Sequence, residues 1–131
     1  MNRSLAVFAV LVSVAARALS AQTQADLHRQ ADSAFRHADS TLNVVYAQLM
    51  AHYRADSLAV RKLRAAERAW LAYREAQVEA TFPAVDKQAA YGSVYPMCVL
   101  KLLRDLTESR IAELRSALAP QEGDVCAGGP S

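Results

Sequence analysis

Apolar residues recur along most of this chain at alternating steps of three and four, which is the spacing of one face of an α-helix. The first such run extends from Thr23 to about Tyr53, and its repeating positions are Ala31, Phe35, Ala38, Leu42, Val45 and Leu49. Thr23 can cap the start of a helix here, and Asp26 in the first turn suits the positive end of the helix dipole. The pattern predicts a first amphipathic helix over residues 23–53.

A second amphipathic helix is predicted over residues 58–81. Asp56 or Ser57 can cap its start, and Pro83 disfavours helical geometry at Phe82, where the helix should end. The positions that recur at steps of three and four are Leu63, Ala66, Trp70, Tyr73, Gln77 and Ala80. This spacing predicts that they form the face that packs against the rest of the protein.

A connecting loop and a third helix follow. Residues 83–93 contain Pro83, Gly92 and Ser93 and show no clear period, which predicts a loop. Ser93 can cap a helix that runs to about Leu118, because Pro96 is tolerated in the first turn. Its stripe is predicted at Leu100, Leu103, Thr107, Ile111, Leu114 and Leu118.

Three amphipathic helices of this length bury their stripes most simply in an elongated up-and-down bundle, so the predicted fold class is all-α. Long seams of this spacing also suit pairing with a second chain, and a homodimer is therefore an open alternative. The predicted organisation is a leader at residues 1–20, a helical domain at 21–119 and a flexible tail at 120–131, which is rich in Gly, Pro and Ser.

The first twenty residues have the order of a secretory signal peptide. A basic start at Arg3 precedes an apolar run over residues 5–16, and small residues follow at Ala18, Ser20 and Ala21. We predict cleavage after Ser20, with Ala18 and Ala21 as alternatives. The apolar run is shorter than the roughly 20 residues that cross a bilayer, and Arg17 interrupts it. The predicted product is periplasmic or secreted, with no membrane attachment after cleavage.

Charge excludes nucleic acid as a partner. The chain has 15 Lys and Arg against 13 Asp and Glu, and removing the leader takes away Arg3 and Arg17, which makes the two counts equal. Nucleic-acid-binding domains carry a basic excess on one face. About 110 residues would remain, which is enough for one domain with one core.

Cys98 and Cys126 are the two cysteines of the chain. In an oxidising compartment such a pair normally forms a disulfide, and closing this loop would stabilise the fold by about 3 to 4 kcal/mol in the chain-entropy model. We predict a Cys98–Cys126 bond that fixes the tail to the bundle. An intermolecular bond or two free thiols are the alternatives.

No metal site, cofactor or catalytic centre is predicted. His28 and Asp32 stand four apart on one helix face, but zinc needs three or four ligands, and His37 and His52 do not share that face. The serines lack the glycine pattern of a nucleophile elbow. The sequence therefore predicts a protein that is not an enzyme.

Three stretches taken together have a familiar pattern: residues 42–50 (LNVVYAQLM), 63–76 (LRAAERAWLAYREA) and 92–115, which opens with GSVYPM and ends with LTESRIAELR. The chain from Thr23 to about Leu118 resembles the lysozyme inhibitor LprI-like family of small exported bacterial helical proteins. The resemblance implies a helical domain outside the cytoplasm that binds a protein partner, a lysozyme, and blocks it. The alternative is an envelope protein that binds another helical protein or itself.

Six residues within these stretches are predicted to have structural roles: Tyr46, Trp70, Tyr73, Arg74, Thr107 and Arg110. The three aromatic residues lie on or beside the seams and should fill the core. Thr107 and Arg110 are expected to form a polar layer near Trp70 and Tyr73 that fixes the register of the helices. Glu67 is expected to pair on the helix surface with Arg64 and Arg74.

Partner contacts are predicted in the loop over residues 83–93 and at the two tyrosines that flank its Gly92 and Ser93. A blocking protein needs a rigid protrusion, preferably with acids that face a cationic enzyme. The candidates are Asp86, Tyr91 and Tyr95.

Overall fold

A computed structural model of the protein describes the backbone of residues 3–119 and 122–126, and the side chains of residues 22–119 and 122–126. The elements in chain order are α1 (Arg3–His52), α2 (Ser57–Thr81), the short helix α3 (Lys87–Tyr91), a 3₁₀ turn (Gly92–Val94) and α4 (Tyr95–Leu118). Three long helices thus account for most of the chain. The prediction of an all-α bundle is confirmed.

The three long helices run up, down and up. Gln24 meets Ser93 at one end and Leu49 packs with Leu114 towards the other, so α1 and α4 are parallel and make the most extensive helix contact of the bundle. Arg74 of α2 reaches Thr107 of α4, whereas Glu67 reaches Arg110, so α2 is antiparallel to both. The residues 82–94, which we call the connector, join α2 to α4 at the end where α4 begins.

The apolar core occupies the half of the bundle farthest from the connector. Its buried members come from α1 and α4, and they are Leu42, Val45, Leu49, Ile111 and Leu114. Half-buried side chains surround them, including Tyr46 and the Leu63 and Trp70 side chains of α2. The predicted seams of α1 and α4 are therefore confirmed, because every predicted position is buried or half-buried.

The packed face of α2 differs from the predicted one. Tyr73 is 50% exposed, and Ala66 and Ala80 are also exposed. The side chains that α2 buries instead are Glu67, Arg74 and Val78. Glu67 and Arg74 can lie on the buried face because each pairs with a charged residue of another helix. The face that α2 packs against the bundle is therefore the one that contains these two residues.

The helix ends follow the sequence signals unequally. Asp56 caps α2, its Oδ1 accepting from the Ala59 backbone N–H at 2.9 Å, and α2 stops before Pro83 as predicted. Thr23 does not start α1, which begins at Arg3 because the residues before Thr23 include no proline or glycine to break a helix. Ser93 does not cap α4; the helix begins at Tyr95, after the 3₁₀ turn.

The ends of the chain leave some predictions outside the described residues. The predicted leader at residues 1–20 and its cleavage site have no described side chains, and the described part of the tail is residues 122–126, all exposed. None of the helices in the part of the chain that the structure describes combines the length and the apolar character needed to cross a membrane.

Candidate functional site

A polar layer crosses the middle of the bundle and joins all three long helices. Arg74 of α2 donates to Asp39 of α1 at 2.9 Å and to Thr107 of α4 at 3.2 Å. Thr107 is completely buried and donates in turn to the Leu103 carbonyl oxygen at 2.7 Å. The guanidinium of Arg74 also lies 5.6 Å from the centre of the Phe35 ring, within cation–π range.

A second ion pair lies beside the first. Arg110 of α4 donates through both Nε and Nη2 to one Glu67 carboxylate oxygen, at 3.2 and 3.0 Å, and through Nη1 to Glu113 at 2.9 Å. Trp70 connects the two pairs, because the guanidinium of Arg74 lies 5.1 Å and that of Arg110 5.8 Å from its ring centre. Partial burial works against the charge on Arg110, but hydrogen bonds with Glu113 and Glu67 outweigh it, so the pKa of Arg110 is raised.

The polar layer joins side chains of different helices. Each buried charge is paired, which is the condition under which charges are tolerated in an interior, and the pairs join different helices. The predicted surface pairing of Glu67 with Arg64 and Arg74 is wrong, because Glu67 bonds Arg110 and Arg74 bonds Asp39. Trp70, Arg74, Thr107 and Arg110 do lie together here, whereas Tyr46 packs on the core and Tyr73 faces solvent.

The connector contains no fully buried residue, and side-chain bonds hold its shape. The Asp86 carboxylate accepts from the Ala89 backbone N–H at 2.9 Å and so caps α3. Lys87 donates to the Phe82 carbonyl oxygen and, at 2.8 Å, to Glu79 of α2. The hydrogen bond with Glu79 raises the pKa of Lys87. The predicted loop therefore contains a helical turn with its own cap.

Three aromatic rings close the base of the connector. Tyr91 and Tyr95 are stacked with ring centres 5.8 Å apart, and Phe82 meets each of them edge to face at 5.3 Å. The Tyr91 hydroxyl also accepts from the Ala84 backbone N–H at 3.2 Å. Both predicted contact residues Tyr91 and Tyr95 are half-buried and pack within the connector, whereas the third, Asp86, is exposed and also caps α3.

The tip of the connector, residues 83–86, projects from these fixed points. Val85 is fully exposed, with a relative accessibility of 102%, and its neighbours Pro83 and Asp86 are also exposed. The sequence signals for the tip were Pro83 and the absence of a helical period. The sequence did not single out Val85, because an isolated valine between helices carries no pattern.

A groove lies at the same end of the bundle, between the first described turns of α1 and the start of α4. Its volume is about 530 Å³, within the range of small-ligand sites. Its lining residues are Gln24, Ala25, Leu27, His28, Arg29, Ser93, Val94 and Met97. Leu27 and Val94 remain partly exposed on its rim. His28 and Asp32 line an adjoining shallow depression, and no group of three or more potential metal ligands occurs among the described residues.

The predicted disulfide is absent from the structure, in which Cys98 and Cys126 are free. Cys98 stands near the start of α4 and Cys126 lies beyond its end. The helix between Cys98 and Leu118 spans about 30 Å, and the chain from Leu118 to Cys126 reaches about 27 Å only when fully extended. The tail instead turns at residues 122–126, where the Cys126 N–H donates to Asp124 at 2.9 Å.

Comparison with known proteins bears on both the polar layer and the connector. The family model described as lysozyme inhibitor LprI matches residues 15–114. The chain belongs to the LprI family. The predicted membership is thereby confirmed. An uncharacterized protein of Rhizobium meliloti (strain 1021) is 35% identical over 114 residues, with 78% of each chain covered. No solved structure matches.

The range that matches the LprI family includes α2, the whole connector and most of α4. The polar layer and the tip therefore both belong to the family domain. Cys126 and the rest of the tail lie outside the matched range.

Proposed function

We propose that this protein is an exported, non-enzymatic inhibitor that binds a lysozyme outside the cytoplasm and blocks hydrolysis of peptidoglycan. The observation that carries the proposal is the match to the lysozyme inhibitor LprI family over residues 15–114. That match includes every long helix in part or whole, so the proposal concerns the entire bundle. The family is named for inhibition, and inhibition requires binding without turnover.

The architecture supports such a role. A blocking protein benefits from a surface that keeps its shape on binding, because ordering a loose loop costs binding free energy. The polar layer ties the three helices at fixed register, and the connector is fastened by the Asp86 cap, the Lys87 bonds and the aromatic rings. The bundle can therefore present one end as a preformed surface.

The test is turnover of a peptidoglycan substrate by several lysozymes of different types, with and without the purified protein at micromolar concentration. We expect a dose-dependent loss of turnover for at least one enzyme, together with direct binding of that enzyme by calorimetry. Full turnover by all of them, with a protein whose circular dichroism shows folded helices, would contradict the proposal.

A second candidate is an envelope module that binds another helical protein or itself without inhibiting lysozyme. The observation in its favour is the set of exposed apolar side chains on the helices, which are Leu27, Val44, Leu58 and Leu71. Single exposed apolar residues are normal on a protein surface. Of the four, only Leu27 also lines the groove and therefore favours this candidate. Light scattering after gel filtration tests the self-association form of this candidate, because the inhibitor proposal requires no assembly of the free protein.

A further inference from the structure

The connector combines an exposed apolar side chain with a backbone that hydrogen bonds hold in place. Its tip exposes an apolar side chain, Val85, to solvent on all sides. An exposed valine alone needs no explanation. Here, however, the backbone that carries it is fixed on both sides, by the Ala84 N–H bond to the Tyr91 hydroxyl and by the Asp86 cap of α3.

Further contacts fasten the connector. Lys87 bonds the carbonyl oxygen of Phe82 and the carboxylate of Glu79, which closes the base of the tip, and the rings of Phe82, Tyr91 and Tyr95 pack beneath it. Rigid, convex segments of this kind bind with little loss of conformational entropy. Their shape is complementary to a cleft rather than to a flat surface.

The charges around the tip also restrict the partner. The charge of Lys87 is neutralised by Glu79, whereas none of the ion pairs in the described part of the chain uses Asp86. The exposed end of the connector therefore presents an uncharged valine next to an unneutralised carboxylate. A cleft that contains catalytic carboxyl groups accepts an apolar side chain without like-charge repulsion, and a cationic rim attracts the neighbouring Asp86.

We propose that residues 83–86 are the surface that contacts the lysozyme, with Val85 inserted into the substrate cleft of the enzyme. This inference rests on the proposed inhibitory function. It replaces the tyrosines as contact residues, because the hydroxyl of Tyr91 and the rings of Tyr91 and Tyr95 are engaged within the connector.

The test compares two valines that have nearly the same exposure. Val85 and Val125 are exposed to 102% and 98%, and Val125 lies in the tail, beyond the other end of α4. The Val85→Asp and Val125→Asp variants are measured beside the wild-type protein for the inhibition constant and for binding to a lysozyme that the wild type inhibits. We expect Val85→Asp to weaken both by at least about tenfold and Val125→Asp by less than about threefold.

A second pair of variants tests the fixed shape of the tip. Lys87→Met removes the bonds to Phe82 and Glu79, and Lys62→Met removes an exposed charge from α2 as a control. We expect Lys87→Met to speed amide hydrogen exchange at residues 82–89 and to weaken inhibition by about three- to tenfold, without change in the exchange of α1. Lys62→Met should change neither.

The outcomes separate this inference from the proposed function. Inhibition by the Val85→Asp variant that equals the wild type would place the contact elsewhere and overturn the inference, while the inhibitory function stands. A wild-type protein that is folded but binds and inhibits none of the lysozymes would overturn both. Should Val85→Asp fail to fold, Val85→Ser carries the same comparison, since a fully exposed position tolerates a small polar residue.

Discussion

The guanidinium of Arg110 bridges two acids whose surroundings differ. The side chain of Glu67 is 11% exposed and that of Glu113 is 59% exposed, and Arg110 itself is 15% exposed. Removing a buried partner leaves an uncompensated buried charge, whereas removing an exposed one leaves water to replace it. We expect Glu67→Ala to lower the free energy of unfolding by about 2 to 4 kcal/mol and Glu113→Ala by less than about 1 kcal/mol.

Urea unfolding followed by circular dichroism measures both variants against the wild type. Equal losses of unfolding free energy for the two variants would show that the Glu67–Arg110 pair is hydrated, which would contradict its burial in the polar layer. Trp70 fluorescence gives a second signal, because both guanidinium groups lie over its ring.

Asp105 of α4 should stabilise the folded protein at neutral pH and lose this effect at acid pH. Hydrogen bonds from Lys101 and then from Arg104 hold the pKa of Asp105 below its ordinary value. A carboxyl group whose pKa is lower in the folded state contributes stability above its unfolded pKa of about 3.9 and loses that contribution as the pH falls through the folded value. Asp105→Asn should therefore be less stable than the wild type at pH 7.

The difference between Asp105→Asn and the wild type should shrink steadily below about pH 4. Thermal unfolding between pH 2 and 7 measures it. A difference that is constant over this range would contradict the assignment. Asp124, an exposed carboxylate of the tail with no resolved ion pair in the described residues, provides the control as Asp124→Asn.

At the residue scale, the sequence predicted Thr107 and Arg110 better than it predicted their partners. Thr107 lies on a helical stripe, and its burial is confirmed. The partners of Arg74 and Arg110 could not be predicted, because Asp39 and Glu67 lie 35 and 43 residues away along the chain. Spacing along one helix predicts ion pairs within that helix, whereas the observed partners of Arg74 and Arg110 lie on other helices.

At the scale of elements, the junction between α3 and α4 depends on Gly92. Its φ of 70° and ψ of −166° fall in a region that is essentially restricted to glycine, although no atom within 4 Å would meet an added Cβ. The cost of Gly92→Ala is therefore backbone strain alone. We expect a loss of about 1 to 3 kcal/mol in the free energy of unfolding.

Gly123→Ala is the matched control, because Gly123 also has a positive φ and open space around it but lies in the tail. Chemical denaturation of the two variants should show a loss for the first and none for the second. An unchanged stability for Gly92→Ala would mean that the connector relaxes without cost, and the fixed shape of the tip would then be in doubt.

The connector shows how an element can escape prediction from sequence. Residues 83–93 have no helical period because α3 has only five residues, which is too short for a period to appear. Its stability comes from the Asp86 cap, from the bonds of Lys87 to Phe82 and Glu79, and from the packed rings of Phe82, Tyr91 and Tyr95. These contacts depend on two helices that the loop itself brings together.

At the scale of the whole molecule, the two cysteines should remain reduced within one chain. Thiol alkylation of the purified protein in denaturant, without reductant, should label both Cys98 and Cys126, because the tail is barely long enough to return along α4. Mass spectrometry counts the labels. A chain that takes up none and yields a peptide joining Cys98 to Cys126 would restore the bond predicted from the sequence.

The sequence alone determined the number of long helices, the approximate bounds of α2 and α4, the core stripes of α1 and α4 and the membership of the LprI family. These properties are local or repeat at helical spacing, so the residue order contains them directly. Tertiary structure decided which face α2 buries, which acids pair with Arg74 and Arg110, that Cys98 and Cys126 are free, and that Val85 stands at a fixed tip. Each of these depends on distances between residues far apart in the chain, which packing sets and periodicity does not.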